Sequence, residues 1–237
     1  GLKPTTLITG ASSGIGTALA HEFADHGHEL VLVARSRPQL SAVADAIMLR
    51  GHVRPHVFAV DLTQPGAADR IATMLHEAGL EPQFVVNDAG ARLFGPATTL
   101  DRADQLAAID LNVRALTELS LRFADSLERH RGGILNVGSI AGFMPRPGAA
   151  IYHATKAYVL SFSEALHREL APKGVRVTAL CPGPVPTGHS EAPAGLLSRL
   201  MMRPAGAVAR AGYDGLMRGK RVVVPGALMA RGMTSRF

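Results

Sequence analysis

Thr9-Gly10-Ala11-Ser12-Ser13-Gly14-Ile15-Gly16 is the stretch on which the fold turns. A short apolar run, residues 5–9, precedes it. Ile15, Leu19 and Phe23 follow at helical spacing. Glycines at 10, 14 and 16 let the backbone turn tightly and lie close to a ligand. The start of the helix offers unpaired N–H groups and the positive end of its dipole, which together suit a diphosphate. The spacing is G-x-x-x-G-x-G rather than G-x-G-x-x-G, so the placement between strand and helix carries the reading.

The same rhythm continues outward. Residues 29–34 form a second strand-like run, and its LVLVA is too continuously apolar for a strand buried on one face only. Further strands are predicted over 56–60, 84–86, 133–137, 175–180 and 221–224. Helices are predicted over 38–50, 65–78, 101–131 (one or two), 151–171 and 205–217. Strands alternating with helices imply a parallel sheet covered on both faces. No linker or repeat interrupts the 237 residues, so residues 1–237 read as one domain. Residues 188–204 break the alternation as an insertion, and long connections of this kind are commonly functional.

Composition narrows the class. Apolar residues are 47% and charged residues 19%, which excludes a disordered chain. No apolar run is long enough for a membrane span. The chain starts directly on a strand-like segment without a signal-peptide pattern, and its single cysteine, Cys181, permits no intrachain disulfide; both point to the cytoplasm. Cys181 reads as a small buried hydrophobe. The ten histidines form no metal-ligand spacing, so no metal is expected. The net charge of +6 is concentrated at the C-terminal end: residues 193–237 carry +7 and the rest −1. This is either a solvated basic surface or an attraction for an anionic partner, such as an acidic carrier protein bearing a 3-oxoacyl chain. Nucleic acid is not expected, because aromatics are only 5% and no zinc or ribonucleoprotein motif is present.

The end of the second strand should meet the adenosine ribose. An acid there would repel a 2′-phosphate. The sequence instead has Ala34-Arg35-Ser36-Arg37. A guanidinium pairs with phosphate by charge and by geometry, so NADP(H) is preferred to NAD(H). Ser12 or Ser13 could add hydroxyl contacts. Asp61 reads either as an acceptor for the adenine amino group or as a turn carboxylate.

Tyr152 and Lys156 lie four residues apart on a predicted helix and share a face. A phenol is a weak acid–base near neutrality, and a neighbouring ammonium favours its ionised form. Ser139 ends the predicted fifth strand, where its hydroxyl could bond a carbonyl oxygen as charge develops.

TGASSGIG at 9–16, NDAG at 87–90, Asn112, Ser139, Tyr152-x-x-x-Lys156, Pro182-Gly183 and Thr187 together resemble the short-chain dehydrogenase/reductase family over essentially the whole chain. The resemblance implies a Rossmann sheet of seven parallel strands in the order 3-2-1-4-5-6-7. It implies an NADP(H)-dependent oxidoreductase interconverting a carbonyl and an alcohol. Tyr152 would be the general acid–base, Ser139 would orient the carbonyl, and Lys156 would hold the nicotinamide ribose. Asn112 would hold a water in a proton relay to Lys156. Ile15, Leu62, Asn87, Ala89 and Gly90 would line the cofactor on the adenosine side and glycine loop; Pro182, Gly183, Val185 and Thr187 would lie beside the nicotinamide. The resemblance also implies a homodimer or homotetramer through the helices at 101–131 and 151–171. Asp88 departs from the family's more frequent Asn, and a carboxylate cannot donate as an amide does, so strand-end hydrogen bonds should rearrange. A chain with eleven residues after Gly226 should contribute little of its C-terminus to a substrate pocket.

The substrate side is apolar. Leu93, Phe94, Phe143 and Met144, with Leu196, Leu197, Leu200, Met201 and Met202 in the insertion, suggest lipophilic ketones, steroid-like or 3-oxoacyl. The insertion's Leu/Met stripe could equally be ordinary helix core. The competing function is an NADP-sensing or scaffold protein that uses this fold without turnover.

Overall fold

A computed structural model describes residues 1–186 and 202–226. Its strands are β1 (Lys3–Thr9), β2 (Leu30–Ala34), β3 (His56–Ala59), β4 (Leu80–Asn87), β5 (Gly133–Val137), β6 (Arg176–Leu180) and β7 (Val222–Val223). All seven pair in parallel, in the order 3-2-1-4-5-6-7. The helices are α1 (Gly14–Asp25), α2 (Arg37–Leu49), α3 (Ala67–Glu77), α4 (Arg102–Ile109), α5 (Leu116–Arg122), α6 (Ala124–Arg129), α7 (Ala150–Leu170) and α8 (Ala205–Met217).

The continuous apolar strands are explained by two cores. Side chains alternate across a strand. Ile8, Leu32, Val86 and Leu135 therefore face one layer, packed with Leu19, Phe23, Ile47 and Leu216 of α1, α2 and α8. Their neighbours Leu7, Val31, Val85 and Ile134 face the other, packed with Ile71, Leu119, Leu127 and Leu166 of α3 and α5–α7. Phe23 is fully buried, and its truncation to Ala would cost about 3–5 kcal/mol.

Two regions differ from the sequence expectation. β4 begins four residues earlier than 84–86 because its first half reads poorly as a strand. Pro82 sits there, and the β1–β4 register shifts between Thr5 and Thr6 as Gln83 is passed over. A proline in a central strand is tolerated at such a bulge. The 101–131 region is three helices rather than one or two. A π-helical segment, Asp110–Ala115, joins α4 to α5, and a break at Phe123 separates α5 from α6. π-turns insert a residue and re-aim side chains, often at functional sites. Here the re-aimed residue is Asn112.

The inserted residues 188–201 and those after Gly226 lie outside the described residues. No described helix is long and apolar enough to cross a membrane.

Candidate active site

The carboxyl ends of β1, β4, β5 and β6 come together at one edge of the sheet, where a parallel fold places its ligand crevice. Gly10 turns with φ 64°, and a Cβ there would stand 2.7 Å from the Ala89 nitrogen, so the loops after β1 and β4 touch through backbone alone. Gly14, at φ 54°, borders open space: nothing lies within 4 Å of a Cβ placed on it. The loop is braced from beneath. Thr17 Oγ1 donates to the Ala11 carbonyl at 2.9 Å, and Thr9 Oγ1 accepts from the Asp88 and Ala89 N–H groups, both at 3.1 Å.

The first turn of α1 contains no acid, and Ser13 makes no capping hydrogen bond. The helix end therefore keeps donors for an anion, bordered by open space at Gly14. A dinucleotide's diphosphate fits this cradle by charge and by room.

Two cavities open on the loop and share Gly10, Ser13, Ala89, Gly90 and Ala91. The larger, about 430 Å³, runs out over Ser12, Arg35, Asp61 and Leu62. Arg35 is on its wall; Arg37 is not, being committed to the first turn of α2. Asp61 Oδ1 accepts from the Thr63 N–H at 3.0 Å and its hydroxyl at 2.7 Å, a turn-carboxylate arrangement. Those bonds hold its carboxyl below the usual range, against some desolvation.

The smaller cavity, about 250 Å³, runs the other way, with Gly14, Ile15, Pro182, Gly183 and Val185 facing Ser139, Tyr152 and Lys156. Ser139 caps a 3-10 turn, Ile140–Phe143, by accepting from the Ala141 N–H at 3.1 Å. Its own proton remains available to a second acceptor. Tyr152 and Lys156 stand on the first two turns of α7. Lys156 is almost wholly buried; its Nζ donates to the Val137 carbonyl at 3.0 Å and lies 5.8 Å from the centre of the Tyr152 ring. The Arg92 guanidinium carbon stands 5.9 Å from the same ring centre, and Phe94 tilts against it at 6.2 Å.

Asn112 is fully engaged as a brace. Its Oδ1 accepts from the Ala91 N–H at 2.8 Å, and its Nδ2 donates to the Ala91 carbonyl at 2.9 Å and to Thr155 Oγ1 at 3.0 Å. Both amide protons are used, so a relay through this side chain is left one lone pair of Oδ1. Asn87 lines neither cavity. It is buried below them, donating to Ser120 Oγ at 3.2 Å and to Asn136 Oδ1 at 2.8 Å. Gly16 also lies behind the wall: a Cβ there would run into the Gly10 carbonyl oxygen and stand 2.6 Å from Asp88 Oδ2.

Asp88 donates its backbone N–H to Thr9 Oγ1 at the end of β1. Burial pushes its carboxyl up to about 8, although Lys156, the Gly16 N–H and Arg92 pull the other way. Burial likewise pushes the Cys181 thiol up to about 12, which removes it as a nucleophile.

The profile of the short chain dehydrogenase family matches residues 4–193. The chain belongs to the short-chain dehydrogenase family. It is 38% identical over 185 residues to sulfoacetaldehyde reductase 2 of Chromohalobacter salexigens, spanning 77% of this chain and 73% of that one. Among solved structures it resembles a bulky-bulky ketone specific alcohol dehydrogenase from Comamonas testosteroni: TM-score 0.86, 32% identity, 100% of this chain and 91% of that chain. It also resembles a short-chain dehydrogenase from Sphingobium yanoikuyae in complex with NADPH: TM-score 0.87, 33% identity, 98% and 92%. This is an oxidoreductase family, and the fold it shares with these structures is the seven-stranded sheet described above.

Three side chains have structural roles that their local sequence does not reveal. Thr9 braces the loop after β4, Thr155 accepts from Asn112, and Arg92 stands beside the Tyr152 ring. No local pattern signals them, because each acts through a partner far along the chain. Of the apolar candidates, Leu93 lines the larger cavity. Phe143 and Met144 border a separate apolar hollow beside the start of α7. Met202 is half-buried. Thr187, Leu196, Leu197, Leu200 and Met201 lie outside the described residues, and among the described residues no cluster could hold a metal.

Proposed function

We propose that this chain is an NADP(H)-dependent oxidoreductase that interconverts a carbonyl with an alcohol, with Tyr152 as general acid–base. The observation that carries the reading is that Ser139, Tyr152 and Lys156 share one cavity with the glycine loop. When bound, the nicotinamide supplies or accepts the hydride. Gly14, Ile15 and the end of α1 would hold the diphosphate, and Arg35 with Ser12 or Ser13 the 2′-phosphate. Asp61 and Leu62 would border the adenine, and Pro182, Gly183 and Val185 the nicotinamide. Ser139, with its oxygen already accepting from Ala141, directs its proton to the substrate oxygen. Tyr152 gives its proton to that oxygen in reduction and takes it back in oxidation. Lys156, anchored on Val137, holds its charge toward the phenol and reaches the ribose. Asn112 fixes Ala91 and so shapes the wall of the cavity.

The substrate we favour is a lipophilic ketone, since Phe94 leans over Tyr152 and is itself largely exposed. The resemblance to an enzyme specific for bulky-bulky ketones supports this.

The test is NADPH oxidation with a panel of small, bulky and 3-oxoacyl ketones, for wild type and Tyr152→Phe. Turnover falling by roughly 10²–10⁴ with NADPH binding retained supports the reading. Equal turnover in the variant overturns Tyr152 as the acid–base. NADPH binding without turnover on any ketone favours a sensing protein instead.

A further inference from the structure

We propose that Arg92 selects the substrate: it takes the carboxylate of an oxo acid whose other end is apolar, and holds that carbonyl beside Tyr152. The inference rests on the carbonyl–alcohol reading above and narrows its substrate class.

Arg92 stands in the irregular segment that follows β4. Two anchors fix that segment. Ala91 is gripped by the Asn112 amide through both its N–H and its carbonyl. Gly95 donates its N–H to the Gly148 carbonyl at 2.7 Å, in the loop that leads into α7 and Tyr152. The side chains between the anchors alternate. Leu93 lines the larger cavity. Its neighbours Arg92 and Phe94 lie on the side of Tyr152, the guanidinium carbon 5.9 Å and the Phe94 ring 6.2 Å from the centre of the phenol ring. One short stretch of backbone thus brings a cation and an apolar ring to the acid–base.

The Arg92 guanidinium is uncommitted. Among the described residues it makes no hydrogen bond or ion pair, and the residue is exposed. At 5.9 Å it stands at the outer limit of a cation–π contact, which is weak at an exposed site. The other charged groups on this cavity are engaged. Lys156 donates to the Val137 carbonyl. Asp88 accepts from the Gly16 N–H and feels Arg92 only through space. The cofactor's anions have their own partners in the reading above: the diphosphate at the end of α1 and the 2′-phosphate at Arg35, on the larger cavity. Arg92 lines the smaller cavity with Ser139 and Tyr152, so the anion it meets is the substrate's.

A guanidinium matches a carboxylate with two parallel N–H donors, which fixes the direction of the substrate as well as its charge. With the carboxylate on Arg92 and the apolar chain along Phe94, the carbonyl between them faces Tyr152 and Ser139. The cavity holds about 250 Å³ and the nicotinamide would share it, so the carboxylate belongs next to the carbonyl or one carbon from it. The product is the hydroxy acid: the carbonyl carbon receives the hydride of NADPH, and its oxygen receives the Tyr152 proton.

The probes are 2-oxo-4-phenylbutanoate and 3-oxo-3-phenylpropanoate, each against its methyl ester, with NADPH as reductant. Arg92→Ala should lower kcat/KM for the acids by about 10–100-fold, mostly through KM, and change the esters by less than about twofold. Arg92→Lys should fall between, keeping the charge without the fork. NADPH affinity should not move. Calorimetry of each acid into the NADP+ complex, where no hydride is available, should show the same loss of affinity. A wild type that reduces the esters and not the acids overturns the inference. An equal loss on acid and ester in Arg92→Ala overturns it as well, and shows that Arg92 serves Tyr152 or the fold. Weakened NADPH binding with an unchanged acid-to-ester ratio overturns it in favour of a cofactor role. Each of these leaves the carbonyl–alcohol reading standing, whereas no turnover by wild type of any carbonyl in the wider panel removes that reading and this inference together.

Discussion

Gly16→Ala isolates the contact that closes the glycine loop onto the helix. Gly16 does not have a left-handed backbone, so alanine meets no conformational penalty there. Judged by helix propensity alone, the change should stabilise α1 by about 0.5–1 kcal/mol. The structure predicts the opposite sign. A Cβ at 16 would penetrate the Gly10 carbonyl oxygen and crowd Asp88 Oδ2 at 2.6 Å. The first is backbone and cannot rotate away, so α1 must separate from the loop. Overpacking of this kind costs about 1–3 kcal/mol, and a backbone collision puts Gly16→Ala at the upper end. Gly14→Ala is the control. Its cost is the left-handed backbone, about 1–2 kcal/mol, with open space around the new methyl. Urea unfolding of the protein without cofactor measures both. The expected order is wild type, then Gly14→Ala, then Gly16→Ala. A Gly16→Ala variant as stable as wild type, or more so, would refute the packing described for this loop.

Three further outcomes are expected. Arg35→Ala should weaken NADPH by about 10–100-fold, the worth of a charged hydrogen bond pair, and leave NADH unchanged; equal effects on both in fluorescence titrations would remove Arg35 from the 2′-phosphate site. Asn112→Ala should destabilise by about 2–3 kcal/mol in thermal unfolding, because Ala91 and Thr155 lose their partners together, and a loss under about 0.5 kcal/mol would show that the brace is replaceable. The pH dependence of stability should have opposed arms. Burial lowers His28 to about 4, so the unfolded chain binds more protons below about 6.5 and stability is lost as pH falls from there toward 4. Asp88 is raised to about 8, so the native state keeps a proton that the unfolded chain has released, and its contribution is lost as pH rises from about 4 to 8. Between about 6.5 and 8 only the second arm acts. Wild type should lose stability across that interval in urea titrations and Asp88→Asn should not; parallel curves would show that Asp88 titrates normally.

The sheet was legible because both of its faces are covered. LVLVA and GILNV cannot be one-sided strands, and the glycine loop fixes where the first crossover begins. The chemical residues were legible because Ser139, Tyr152 and Lys156 combine fixed spacing with a strand end. β4 was read short because Pro82 and Gln83 form a bulge whose meaning depends on the partner strand. The π-segment was invisible because its sequence, DLNVRA, differs in no local property from ordinary helix.

The amide chain beneath the cavities has a consequence for how the protein reaches this state. Asn87 donates to Asn136, its register partner on the neighbouring strand, and Asn136 donates to Ser163 of α7 at 3.0 Å. Had β4 and β5 been apolar throughout, a slip by two residues would have kept every side chain on its proper face and exchanged one packing for another of similar quality. The asparagines make such a slip expensive, because it would strand buried amides without partners. The chain thus proof-reads the alignment of its central strands as it folds, and the positions of Ser139 and Asp88 at their ends inherit that accuracy.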